Sequence, residues 1–280
     1  MKRRALVLAL GLGALGCHHQ GSSGGREPRL VSLSPGITDA LFEIGAGSQV
    51  VARSDYCDFP PEVTKLPRVG TSLTPSYETI SRLTPTLIIG EEGANARRRE
   101  LEAIGPTLLL PWLTLDEIVE SMRELGRRTG TVPRANELAA RLHARLAVPP
   151  PSAGPRVLLV IGYQPQKLEE LWFVRENSLH GAALHAAGAR NAVPEAVTGL
   201  PRLSLERLFA VDPDAIIVLT QPGRAGRDYL EPFKALAPLR AVKQDHVLVV
   251  EAPEAYVHGP RILSLVDRLS AEVKKLGGHG

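Results

Sequence analysis

Reactive side chains are plentiful in this 280-residue chain, but their spacing withholds most kinds of catalysis. Acyl transfer on an α/β scaffold needs a nucleophile on a tight glycine-flanked turn, and no such elbow occurs. There is no Walker A loop and no dinucleotide fingerprint; Gly11-Leu12-Gly13 falls within an export signal. Histidine could ligate a metal, yet His143 stands in a helical connector while His180, His185, His246 and His258 all fall in the second half. That distribution argues against a zinc or manganese site, where several His and carboxylates converge on one ion. The adjacent His18-His19 lie in a tether, where such pairs are more often incidental. What remains is recognition by charge: Glu78 and Glu206 lie 128 positions apart in two copies of one segment.

Ser76-Tyr77-Glu78-Thr79-Ile80, then Leu83, Pro85 and Ile88-Ile89, recurs as Ser204-Leu205-Glu206-Arg207-Leu208, then Val211, Pro213 and Ile216-Ile217. Each copy reads as a short Ser-capped helix with Glu in its first turn, followed by Pro and a buried strand. Duplication of this kind predicts two similar lobes enclosing a cleft. A single first-turn Glu would merely complement the helix dipole, worth about 0.3–1 kcal/mol. Two at equivalent places favour docking to a two-fold symmetric partner.

The elements that must position these residues alternate. In the first lobe, residues 29–131, strands are expected at 30–33, 49–52, 87–89 and 107–110, with helices at 38–44 and 94–103. Thr114 with Glu117 forms a capping box that opens a helix to about Thr129. Pro133 starts the next helix, with Leu138, Leu142 and Leu146 at four-residue spacing, and Pro149-Pro150-Pro151 ends it. Residues 132–154 thus form a connecting helix and linker. The second lobe, 155–280, repeats the alternation, with strands at 157–161, 215–219 and 247–250 and helices from Ser178 and Pro260. Short Leu- and β-branched runs between helices argue for an α/β fold with mainly parallel sheets. One rigid connecting helix limits hinge rotation, so the cleft should be largely pre-formed.

Residues 1–16 carry a basic start, the apolar run from Ala5 to Leu12 and small residues before Cys17, the form of a secretory signal. Gly16-Cys17 resembles a bacterial lipobox, with Ala14 where Leu is usual, so Cys17 is expected to carry lipid. Plain signal-peptidase cleavage is the alternative. Gly21-Ser22-Ser23-Gly24-Gly25 then serves as a flexible tether within 17–28. The formal charge of +3 misleads, because loss of Lys2, Arg3 and Arg4 leaves 30 basic against 30 acidic side chains. A neutral mature chain has no electrostatic footprint for nucleic acid. With Cys17 lipidated, Cys57 is the one thiol left and no disulfide framework exists.

Arg29-Leu30-Val31-Ser32-Leu33-Ser34-Pro35, Tyr56-Cys57-Asp58-Phe59-Pro60-Pro61 and Leu66-Pro67-Arg68-Val69-Gly70 resemble the class III substrate-binding proteins of bacterial ABC importers, which serve cobalamin, iron–siderophores and haem. The resemblance continues through Asn177-Ser178, Gly188-Ala189-Arg190-Asn191 and Gly259-Pro260-Arg261, covering most of 29–275. The Cys-Asp-Phe-Pro-Pro stretch is most similar to cobalamin-binding members. The resemblance implies that Glu78 and Glu206 pair with arginines on the transporter's membrane subunits. It also implies a ligand site at Ser34, Pro35, Tyr56, Ser72, Leu73, Glu92, Gly93, Trp172, Leu200, Arg202, Glu254 and Tyr256. Tyr56, Trp172 and Tyr256 would cover the faces of a corrin or its benzimidazole. Trp172 is equally well explained by packing at a strand end. The better-known cobalamin receptors carry Trp near Ser72 and Leu200, and this chain does not.

The expected function is therefore a lipid-anchored, extracytoplasmic receptor that delivers cobalamin to an ABC importer, with no catalysis, no cofactor and no metal. The runner-up is an iron–siderophore receptor using Arg202 or Arg53, or a haem receptor using Tyr56, Tyr163 or His258. A tethered sensor or enzyme on the same fold is a further alternative.

Overall fold

A computed structural model describes residues 27–93, 96–164, 168–223 and 230–276. The export signal, Cys17 and the tether lie outside the described residues. The chain enters at β1 (Leu30–Ser32), all three residues buried. Ser34 then caps α1 (Pro35–Glu43), with its Oγ accepting from Ile37 N at 3.4 Å. The helix begins three residues before the expected Thr38, because Pro at the first helical position has its φ already set and no N–H to satisfy. After β2 (Val50–Arg53) come α2 (Tyr77–Arg82), β3 (Leu87–Glu91), α3 (Arg98–Glu102) and β4 (Thr107–Leu110). The strands form one parallel sheet in the order β2-β1-β3-β4. The expected helix 94–103 is shorter as described, and Ala94 lies outside the described residues.

The capping box forms: Thr114 Oγ1 accepts from Glu117 N, and Glu117 Oε2 accepts from Thr114 N at 2.9 Å. It opens α4 (Leu115–Thr129), which stops at Gly130 with φ 73°. Then α5 (Val132–Leu146) buries Leu138, Leu142 and Leu146 as their spacing requires. It runs across both lobes, since Arg141 pairs with Glu43 on α1 while Arg145 reaches Asp267 at 3.2 Å.

The second lobe comprises β5 (Arg156–Tyr163), β6 (Glu170–Phe173), α6 (Leu179–Ala186), β7 (Arg190–Asn191), β8 (Arg202–Ser204), α7 (Leu205–Val211), β9 (Ala215–Thr220), α8 (Glu231–Lys234), α9 (Arg240–Lys243), β10 (Val247–Glu251) and α10 (Ile262–Leu276). Its sheet runs β10-β9-β5-β6-β8, with β7 paired to β5; β5, β7, β9 and β10 are parallel and β6 is antiparallel to both neighbours.

The duplication extends into backbone detail. Thr84 and Asp212, equivalent positions before the two prolines, both take positive φ, 43° and 40°. Arg29 donates to Leu83 O at the end of α2, and Arg156 donates to Val211 O at the end of α7. Each arginine closes one helix's orphan carbonyls from the strand that the helix flanks. The caps differ. Ser204 Oγ accepts from Arg207 N at 3.2 Å as expected, whereas Ser76 Oγ bonds the Thr79 hydroxyl instead of capping α2.

One apolar core runs through both lobes, joining Leu30, Ile37 and Leu41 to Leu138 and Leu142 of α5 and onward to Leu184, Ile217 and Leu265. Separate clusters cover the other face of each sheet. At the seam the lobes meet backbone to backbone. A Cβ on Gly36 would lie 1.8 Å from His258 O, and Trp112 Nε1 donates to that same carbonyl at 2.5 Å. Leu179 N donates to Leu113 O at 2.8 Å, and Asp39 accepts from Arg261 Nε at 2.6 Å.

Candidate functional site

The seam fixes where the cleft lies. Gly36 follows β1, Trp112 follows β4, and His258 follows β10, so the carboxyl ends of the parallel strands in the two sheets face each other. Ligands of open α/β sheets bind at those ends. Two depressions flank the seam, one per lobe.

The first-lobe depression, about 190 Å³, brings together Ser72, Leu73, Glu92 and Gly93 of the expected set, with Glu91 and Arg97 beside them. A Cβ on Gly93 would meet nothing within 4 Å, so the position is open to cargo. Ser34 is buried beneath, its Oγ donating to Glu91 Oε1 at 2.5 Å while it caps α1; Pro35 stands in the first turn. Glu91 is exposed at the end of β3, and the protein crowded around its carboxyl pushes it above the usual range, partly opposed by the Ser34 hydrogen bond. Glu92 pairs with Arg98 at 3.2 Å.

The second-lobe pocket, about 200 Å³, is walled by Ile161, Phe173, Val174, Pro201, Ala255 and the imidazoles of His180 and His258, with Arg175, Ser178 and, from the first lobe, Leu113. The two rings meet edge to face, centroids 4.6 Å apart. Burial drives His180 well below the usual imidazole range, helped by His258 and opposed by its bond to the Ala255 backbone; burial and nearby Arg175 bring His258 down to about 4. Both rings are therefore neutral near pH 7.

Tyr56, Trp172, Leu200 and Tyr256 of the expected set line neither depression; they are exposed, as Leu73 is, Leu200 at 72% and Trp172 at 46%. Trp172 lies over Gly162, where a Cβ would come within 2.7 Å of its ring. Arg202 sits opposite Trp172 in the sheet and reaches Glu170 at 3.4 Å. The Tyr256 hydroxyl donates to Leu219 O at 2.9 Å.

Glu254 departs from expectation. It is buried, and its carboxylate accepts from Arg268 Nε at 2.7 Å, so it fastens the segment after β10 to α10 rather than facing cargo. Arg53 is likewise buried, donating to the Ser54 and Thr64 carbonyls, which removes it as a siderophore contact. Tyr163 packs edge-on against Phe233, centroids 5.3 Å apart. Sequence reasoning missed Glu91, Arg97, Arg175 and His180. Of these, His180 carried a signal: an imidazole set among the apolar Leu179, Ala183 and Leu184 of one helix. Among the described residues no three His, Cys, Asp or Glu side chains converge as a metal requires.

On the outside, Glu78 and Glu206 are both exposed in the first turns of α2 and α7. Exposed Tyr77 and Phe209 accompany them. The two differ in one respect: Glu78 pairs with Arg82 one turn on, whereas Ala210 occupies the equivalent place after Glu206.

Two lobes that meet across a seam, each with a depression beside it, frame a binding cleft. The chain belongs to the periplasmic binding protein family, whose pattern matches residues 30–253. Members serve ABC importers, bind small ligands and work outside the cytoplasm. Among its relatives, the vitamin B12-binding protein of Salmonella typhimurium is 30% identical over 209 residues, covering 71% of this chain and 74% of that one. The apo periplasmic heme-binding protein RhuT from Roseiflexus sp. RS-1 is similar in structure, with TM-score 0.72 and 26% identity over 90% of this chain and 99% of that one. The periplasmic vitamin B12 binding protein BtuF of Vibrio cholerae shares the fold at TM-score 0.70 and 23% identity, over 90% and 98% of the chains. No helix among the described residues is long and apolar enough to cross a membrane.

Proposed function

We propose that this chain captures cobalamin or a related corrinoid and hands it to the membrane subunits of an ABC importer, through Glu78 and Glu206, while held to a membrane by lipid on Cys17. It carries out no reaction on its cargo. One observation carries the ligand class: large apolar side chains stand exposed on segments at or next to the two depressions, Tyr56 after β2 and Leu73 in the first-lobe depression, Trp172 and Leu200 beside the lining residues Phe173 and Pro201, and Tyr256 beside Ala255. Exposed apolar groups gathered around a concavity mark a contact surface, and this set suits a broad, amphipathic disc. The relatives named for vitamin B12 support the same choice. A haem reading draws on the likeness to RhuT and on His258 in the pocket wall.

The test is to incubate the purified domain separately with cyanocobalamin, haemin and a ferric siderophore, desalt it, and record the visible spectrum. Cyanocobalamin should be retained with a sub-micromolar dissociation constant and should quench Trp172. Trp172→Ala and Tyr56→Ala should each weaken binding by about 1–3 kcal/mol, as loss of an aromatic anchor does. Retention of haemin or the siderophore but not of cyanocobalamin would overturn the proposal.

A further inference from the structure

The second-lobe pocket contains a polar atom that its surroundings do not explain. His180 is 3% exposed, and its Nε2 is buried with no hydrogen-bond partner. Buried polar atoms are nearly always paired, because stripping off water without replacing it is costly. Leucine at this place would pack against Leu179 and Leu184 and leave no orphan. The other ring nitrogen is bonded to the Ala255 backbone. Donation to that carbonyl places the ring proton on Nδ1 and leaves Nε2 as a lone pair, an acceptor without a donor.

The surroundings restrict what can supply the donor. Phe173, Val174, Pro201 and Ala255 make the walls apolar, and the Arg175 guanidinium is engaged with the Gly199 carbonyl. At about 200 Å³ the pocket is smaller than the roughly 300–1,000 Å³ that a whole small-molecule ligand occupies, so it fits an appendage rather than a macrocycle. A carboxylate would set its own lone pairs against that of Nε2. A primary carboxamide offers N–H and carries no charge to desolvate.

Building on the corrinoid reading, we infer that this pocket is a side-arm subsite in which His180 Nε2 accepts a hydrogen bond from a neutral carboxamide N–H of the cargo. His180 thereby selects tetrapyrroles bearing amides over those bearing carboxylates at that arm. The His258 ring packs edge to face against His180 in the same wall, so the arm must displace it or enter beside it to reach Nε2.

The experiment compares wild type with His180→Leu, titrating cyanocobalamin and its separated monocarboxylic acids, in which single side-chain amides are hydrolysed. Wild type should bind at least one monoacid about tenfold more weakly than cyanocobalamin, the size of one buried hydrogen bond. His180→Leu should lose that discrimination and bind cyanocobalamin about tenfold more weakly. Should the variant fail to fold, nitrogen NMR of the wild-type His180 ring supplies the second readout, because Nε2 must shift when saturating cyanocobalamin provides its donor. Equal affinity of wild type for all the acids, an unaltered variant, or an unmoved Nε2 resonance would each overturn the subsite. Those results leave the corrinoid reading intact, whereas a wild type that binds no cyanocobalamin overturns both.

Discussion

Asp39 offers a direct measure of how the lobes are held together. Its carboxylate is almost fully buried on α1 and accepts from Arg261 across the seam, while the Arg261 guanidinium lies 4.4 Å above the Phe59 ring. Burial outweighs the help from Arg261 and raises Asp39 from 3.8 to about 6. At 1.36 kcal/mol per pKa step that difference corresponds to about 3 kcal/mol. The sign is opposite to that of an ordinary salt-bridged aspartate. Since the folded value lies above the unfolded one, stabilisation by protonation is fully present below pH 3.8 and lost as pH rises through about 6. Between pH 7 and pH 5 the native state takes up most of a proton that the unfolded chain does not, a gain of about 1 kcal/mol. Asp39→Asn keeps an oxygen for the Arg261 Nε–H but abolishes the titration. Urea unfolding of both proteins at pH 5, 6 and 7 isolates Asp39, because Glu91, His180 and His258 are common to both and cancel. Wild type should gain about 1 kcal/mol on the variant from pH 7 to pH 5, about 2–4 °C in melting temperature. A difference that stays flat, or that favours wild type more at pH 7, refutes the reasoning.

Gly36→Ala would drive a Cβ into the His258 carbonyl, so it should destabilise the fold by about 1–3 kcal/mol in urea and weaken cargo binding by spreading the seam. Reversing both Glu78 and Glu206 to Lys should abolish transporter binding in a pull-down while leaving ligand affinity nearly unchanged. Either single reversal should be milder than the pair, with Glu206→Lys the more damaging, because Glu206 has Ala210 where Glu78 has Arg82. Equal single effects would remove that asymmetry. Cys17→Ser should release the protein from the membrane fraction, and a wild type without an acylated N-terminus by mass spectrometry would remove the anchor.

The features legible in the sequence were those with local causes. The capping box at Thr114 and Glu117, the apolar period of α5 and the four residues of β4 depend on neighbours within a turn or a short run. The antiparallel β6 and β8 gave no such signal: Glu170-Leu171-Trp172-Phe173 and Arg202-Leu203-Ser204 are too short for alternation to register. At the cleft the sequence located the loops, Leu200-Pro201-Arg202 and Glu254-Ala255-Tyr256 among them, but not which side chain of each faces inward. Pro201 lines the pocket while Leu200 and Arg202 do not, and Ala255 lines it while Glu254 turns to Arg268. In the extended segment entering β8 one residue of displacement reverses the side a side chain occupies, and in the helical turn Pro253–Tyr256 it swings the side chain by about a third of a turn. Glu254 and Arg53 were misplaced for a shared reason: each charge is buried against partners that only the folded chain aims at it, Arg268 for Glu254 and the Ser54 and Thr64 carbonyls for Arg53.

The seam also orders events in the protein's synthesis. Asp39 and Arg261 are separated by 222 residues, and Trp112 and His258 by 146. The parallel first sheet can pair early, but Gly36 and Asp39 of α1 stay uncovered until His258 and Arg261 have emerged. Contacts of such range are slow to close and leave apolar surface open meanwhile. The same late-closing clasp that joins the mature lobes therefore leaves the nascent first lobe exposed to aggregation, and a chain truncated before His258, lacking both clasp residues, should aggregate in a refolding assay where the full chain stays in solution.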